Sequence, residues 1–203
     1  MTFAQRQRAA LCDLFEEVGA LAPTLCQGWT AQDLAAHLWV RGRRPGALPG
    51  IGLSRFAERT ERIQQEVLDE HGFLGLVEDL RRPGWIMRPV DRTVNAVEYF
   101  VHHEDVLRPN GSSQQLTQEE QAGLWRIASM LARKTQLSAG MRLALHPEGH
   151  DDVALGRGNR PVHLSGLPSE MLLYFTGRLD AAEVTQTGEP DAVEALRRSI
   201  TGL

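Results

Sequence analysis

A chain of 203 residues, 42% hydrophobic and 24% charged, has an ordinary globular composition, which excludes disorder and leaves room for one large core or a core with a small satellite. A net charge of -4 offers no positive field to hold a phosphate backbone, so no nucleic-acid partner is expected. Asp13, Glu16 and Glu17 interrupt the first apolar segment, which is neither a signal core nor a spanning stretch; the expectation is a cytoplasmic protein with no membrane partner.

In chain order, Phe3 to about Leu21 carries Leu11, Leu14, Phe15 and Val18 at spacings of three and four, an amphipathic helix that Pro23 is expected to end. Cys12 lies on its apolar side, where a small buried thiol is the simplest reading, and Cys26 falls in the loop beyond. Two cysteines so far apart make neither a disulfide framework nor a redox pair. Thr30-Ala31-Gln32-Asp33 resembles a capping box, with the Thr30 hydroxyl accepting from the Asp33 amide, and opens a helix from Ala31 to about Arg44. Arg41, Arg43 and Arg44 sit at its C-terminus, where the macrodipole favours positive charge. Pro45 to Gly50 is a breaker-rich loop.

Phe56 to about His71 reads as a charged amphipathic helix and Phe73 to Leu80 as a shorter one. After an irregular stretch around Pro83-Gly84 and Pro89, Asp91 to Leu107 reads as a fourth long helix, closed by Arg108-Pro109-Asn110-Gly111. A Thr-x-x-Glu box at Thr117 and Glu120 opens a fifth, to about Leu137. The period then changes: 141–145, 153–155 and 162–164 read as short strands, with another around Val184. Pro168 opens a helix that stops at Gly177, and Pro190 opens a closing helix to Ile200. Gly156-Arg157-Gly158 is a turn without the strand-to-helix context of a phosphate loop. The expected fold class is therefore α+β and mainly α, a helical bundle over residues 1–138 followed by a small α+β domain over 139–203.

The segment from Val94 to Asp105 carries the chemistry. At about 100° per residue, Val94, Val97, Glu98, Val101, His102 and Asp105 share one side, while His103 points away and is expected to be solvated. Glu98 and His102 are one turn apart, so their side chains can converge; a divalent metal, or a plain Glu-to-His hydrogen bond inside the bundle, would each satisfy such a pair. His37, on the border of the stripe formed by Ala31, Leu34, Ala35 and Leu38, is a candidate third ligand. His71, His146, His150 and His163 lack partners at useful spacing and read as surface or strand residues.

Asp-Leu-Ala-Ala-His-Leu after a Gly-Trp-Thr turn, followed by Glu-x-x-x-His-His-x-Asp-Val-x-Arg-Pro, resembles the mycothiol-dependent maleylpyruvate isomerase-like family, with its DinB-like four-helix metal-binding bundle. Val162 to Arg178 is similar to that family's small C-terminal domain. The resemblance implies a divalent metal held by His37, Glu98 and His102, and a low-molecular-weight thiol, possible as mycothiol, delivered to a small electrophilic substrate. Two imidazoles and a carboxylate leave coordination positions open, as in catalytic zinc sites, and nickel, manganese or iron suit the same donors. Asp105, three residues beyond His102, is expected to accept a ring N–H of that ligand, with direct ligation as the alternative. Arg178 is the family-like catalytic candidate for an anionic substrate, or a helix-end cation complementing the dipole.

The segments Pro45 to Arg55 and Arg81 to Arg92, expected to shape the pocket mouth, specify no particular substrate. A metal hydrolase working without thiol and a non-catalytic metal-dependent ligand-binding protein are the competing functions. A monomer or a homodimer is compatible with all of them.

Overall fold

The computed structural model describes residues 1–43, 57–82 and 92–200 of the chain. Arg44, Phe56, the Pro45 to Arg55 segment and residues 83–91 lie outside them. Among the described residues the chain is mainly α-helical with one four-stranded sheet near the C-terminus, an α+β fold divided into two compact units, Met1–Gln114 and Gln115–Leu203.

The first unit contains α1 (Phe3–Val18), α2 (Ala31–Arg43), α3 (Ala57–Arg81) and α4 (Arg92–Leu107), with a 3-10 turn at Arg108–Asn110. Thr2 caps α1 through a reciprocal box with Gln5. The helix stops at Val18, short of the expected Leu21, because Gly19 takes a φ of 82° and turns its N–H back onto the Phe15 carbonyl at 3.0 Å. The box at α2 forms differently from expectation. The Asp33 carboxylate accepts both the Thr30 N–H, at 2.8 Å, and the Thr30 hydroxyl, at 2.6 Å, so the hydroxyl donates instead of accepting from the amide. Gly72, with φ 66° and ψ 162°, breaks α3 into the two helical stretches that the sequence suggests.

Leu11, Leu14 and Phe15 of α1, Leu34, Ala35 and Leu38 of α2, Val67, Leu76 and Val77 of α3 and Val106 of α4 form the core of this unit. Phe15 meets Phe73 edge to face, with ring centroids 5.9 Å apart. Removing each large aliphatic or aromatic side chain from water stabilises the fold by about 1.5–3 kcal/mol, which is what holds four helices of modest intrinsic helicity in place.

The second unit begins with α5 (Gln118–Lys134), capped by the expected Thr117 and Glu120 box, and ends with α7 (Pro190–Ser199). α5 packs against α6 (Pro168–Phe175), where the Gln121 side chain accepts from the Ser169 N–H at 2.9 Å and donates to its hydroxyl at 3.1 Å. The division into compact units falls at Gln114, just before α5.

Strands β1 (Met141–Pro147), β2 (Val153–Leu155), β3 (Arg160–Gly166) and β4 (Thr185–Gly188) pair in the order β2-β1-β3-β4, parallel between β1 and β3 and antiparallel elsewhere. Leu143 and Leu145 of β1 and Val162 and Leu164 of β3 are buried; strand alternation puts His146 and His163 on the opposite face. At the turn between β2 and β3, Gly158 lies against the Gly140 carbonyl so closely that a Cβ there would stand 1.8 Å from the oxygen, and only glycine fits. α6 is buried along its length and closes through Thr176 onto Gly177, which takes a φ of 95°.

Candidate metal centre

The α2 and α4 helices bring together three of the singled-out side chains. Glu98 Oε1 stands 3.5 Å from His37 Nε2 and 3.4 Å from His102 Nε2. The spacing of four on α4 stacks Glu98 and His102 one turn apart, while the apolar stripe of α2 turns His37, 5% exposed, inward to meet them. Metal bonds of 2.0–2.1 Å in a tetrahedral site set donor atoms about 3.4 Å apart, so the spacing and chemistry of this donor set fit one ion.

Each member is oriented from behind. His102 Nδ1 donates to Asp105 Oδ2 at 2.8 Å, which leaves its Nε2 facing Glu98. Asp105 is fully buried and also accepts from the Cys26 thiol at 3.3 Å. Cys26 arrives there because the Leu25 N–H donates to the Asp105 carbonyl at 2.9 Å and the Thr24 hydroxyl bonds the Trp29 carbonyl at 2.8 Å, folding the loop onto α4. Cys26, His102 and Asp105 thus form a second group of converging donors that shares His102 with the first. His37 Nδ1 lies 3.4 Å from the Gln64 amide nitrogen, and its ring lies 5.1 Å from that of Trp29.

Arg41 is part of this site. Its Nε lies 3.1 Å from Glu98 Oε1 and its Nη1 donates to Asn95 Oδ1 at 3.1 Å, so it acts across helices as well as at a helix end. The signal for it in the sequence is its spacing of four from His37, which puts both on one face of α2. For Cys26, 79 residues from Asp105, no spacing rule applies. His103 is another departure from expectation: 7% exposed, it bonds Gln7 Oε1 at 3.0 Å, because α1 covers the side of α4 opposite the site. The other histidines have partners as well: His71 packs on Trp39 with ring centroids 4.9 Å apart, His150 stacks on Trp125 at 6.3 Å, His146 meets Asp152 across the β1–β2 turn, and the pairing of β1 with β3 brings His146 to His163.

The charges follow from this packing. Burial would raise the Glu98 carboxyl, but bonds from His102 and His37 and the charge of Arg41 overcome it and hold the group below the usual carboxylate range. Burial would lower His102, yet its bonds to Asp105, Cys26 and Glu98 raise it well above the ordinary imidazole value. His37 is lowered, chiefly by burial, against an opposing bond to Glu98. A cleft of about 260 Å³, lined by Trp29, Asp33, Glu61, Gln64 and Gln65 among others, reaches the two residues that touch His37. Arg178 lies in the second unit after α6, its Nη1 donating to the Thr176 carbonyl at 2.7 Å, a helix-end contact of the kind the dipole favours.

No protein-family model and no curated protein sequence matches the chain. Among solved structures it is similar to the crystal structure of the mycothiol-dependent maleylpyruvate isomerase, with a TM-score of 0.58 over 92% of this chain and 91% of that one. At 18% identity the likeness establishes a shared fold spanning both units.

Proposed function

We propose that this chain binds one divalent metal ion through His37, Glu98 and His102 and acts in the cytoplasm as a thiol-dependent isomerase or transferase on a small electrophilic substrate. The observation that carries the reading is the convergence of two imidazole nitrogens on one carboxylate oxygen, each at a separation suited to ligands of a single ion. The shared fold with a mycothiol-dependent isomerase supports a thiol, with mycothiol as the first to try. Zinc suits the donor set, and nickel, manganese and iron suit it as well.

When bound, the ion would supply Lewis acidity and favour the thiolate form of a thiol. The protein's part is orientation and charge. Asp105 holds the His102 ring by its Nδ1, so that Nε2 is presented to the site. His102 and His37, with Arg41, keep Glu98 ionised, and Arg41 helps hold it in place. Arg178, matched through the Gly177-Arg178 pair, is proposed to meet an anionic group of the substrate.

Metal content of protein purified without a metal-affinity tag, compared between wild type and Glu98→Gln, tests the reading. The wild type is expected to hold about one equivalent of ion more than the variant; adding thiol to the cobalt-substituted protein should then change its visible spectrum. If the wild type binds no zinc, nickel or manganese at this site, the three residues are a hydrogen-bond network and the function fails. An ion that binds but never responds to thiols would favour hydrolysis instead.

A further inference from the structure

We infer that the outer face of the C-terminal sheet carries a second metal site, in which His146 Nε2 and His163 Nδ1 take a divalent ion of the copper, nickel and zinc group. In the parallel register of β1 and β3, His163 pairs with Ala144 and His146 with Ser165, so the two imidazoles are diagonal neighbours on the same face. His146 Nε2 and His163 Nδ1 lie 2.9 Å apart. The ring planes differ by 11° with centroids 5.2 Å apart, so the rings meet edge to edge in line and not face to face.

The protonation pattern follows from the carboxylate at one end. Asp152 Oδ2 lies 2.8 Å from His146 Nδ1 and can only accept, so that nitrogen carries a proton, and in the neutral ring His146 Nε2 presents a lone pair. His163 Nδ1 must then donate to it, leaving His163 Nε2 with the second lone pair and no hydrogen-bond partner among the described residues. An ion entering between the rings takes the place of this shared proton. The proton moves to His163 Nε2, so both rings stay neutral and charge balances without loss of a proton.

Three features favour such an ion. A carboxylate on the far nitrogen of a metal-bound imidazole is the usual device for fixing its orientation. Imidazole donors suit zinc, copper and nickel. The His146 side chain is 35% exposed, so water can complete the coordination once the rings draw apart from their 2.9 Å contact to admit the ion. The site belongs wholly to the second unit and does not rest on the bundle site.

Calorimetric titration of the full-length, metal-stripped protein with zinc chloride tests the inference. His163→Gln and His146→Gln should each remove one equivalent, and Glu98→Gln a different one. Asp152→Asn should keep the stoichiometry and weaken that equivalent roughly tenfold or more. Far-UV circular dichroism checks that each variant is folded, and the exposed face makes both histidine variants tolerable. If folded His163→Gln and His146→Gln bind as many ions as the wild type, the site does not exist. A single equivalent in the wild type that His163→Gln removes would support the sheet site while defeating the bundle site.

Discussion

Asp105 Oδ2 accepts from His102 Nδ1 at 2.8 Å and, on the other side, from the Cys26 thiol at 3.3 Å, so one fully buried carboxylate ties a loop cysteine to the imidazole that faces Glu98. Asparagine in this position can still accept a hydrogen bond but brings no charge. Asp105→Asn should therefore weaken zinc binding at the bundle site by about 10–100-fold while the protein stays folded. Competition titration against a chelating dye measures this, and an unchanged affinity would show that Asp105 does not orient the ligand.

The metal-free site is protonated where an ion would bind. Burial opposes a charged His102, yet Asp105, Cys26 and Glu98 raise its pKa well above the ordinary value, so at neutral pH a ligand nitrogen carries a proton that zinc must displace. Zinc affinity should rise with pH through the neutral range and level off above the raised pKa. Calorimetry in two buffers of different ionisation enthalpy should show net proton release on binding at the bundle site.

His103 acts on stability in the opposite sense to His102. Burial lowers it from 6.5 to about 4, against a smaller contribution from a hydrogen bond to Gln114. Between those values the unfolded chain binds the proton and the folded one does not, so stability falls as pH drops from 6.5 to 4 and flattens below that. The loss attributable to this one group is roughly 3 kcal/mol. Denaturant unfolding across this range should show a steeper acid loss for wild type than for His103→Gln, and parallel curves would contradict the assignment.

The two cysteines should separate by reactivity. Cys12 is 1% exposed, and burial pushes its thiol up to about 11, with Arg81 and Arg8 opposing. It should resist iodoacetamide at pH 8 until the chain unfolds. Cys26 is only half-buried. A brief alkylation of native protein followed by mass mapping should find label on Cys26 alone, and native labelling of Cys12 would mean that the α1 core opens far more readily than its packing suggests.

Much of this protein is legible from local rules. The Thr117 and Glu120 box, the proline-opened α6 and α7, the change of period at Met141 and the break at Gly72 all depend on residues within a turn or two of one another. The pairing of Glu98 with His102 is of the same kind, since helix geometry alone places them together. The exact end of α1 is not, because Gly19 outweighs Pro23 only once the chain's path is known.

What the tertiary structure decides is which distant groups meet. His37 joins Glu98 across 61 positions because α2 and α4 lie in one bundle. Cys26 reaches Asp105 through a loop fold, and Arg41 becomes part of the site through the rotation of its helix, not its place at the helix end. His103 shows the limit of a two-sided helix picture: a bundle helix covered by α1 on its far side has no free face for the polar residue to occupy. His146 and His163 show the same for strands, where parallel register creates neighbours that no sequence period reveals. Most elements and caps follow from short-range sterics and hydrogen bonding, which the sequence carries; convergence of side chains follows from packing, which exists only once the chain has folded.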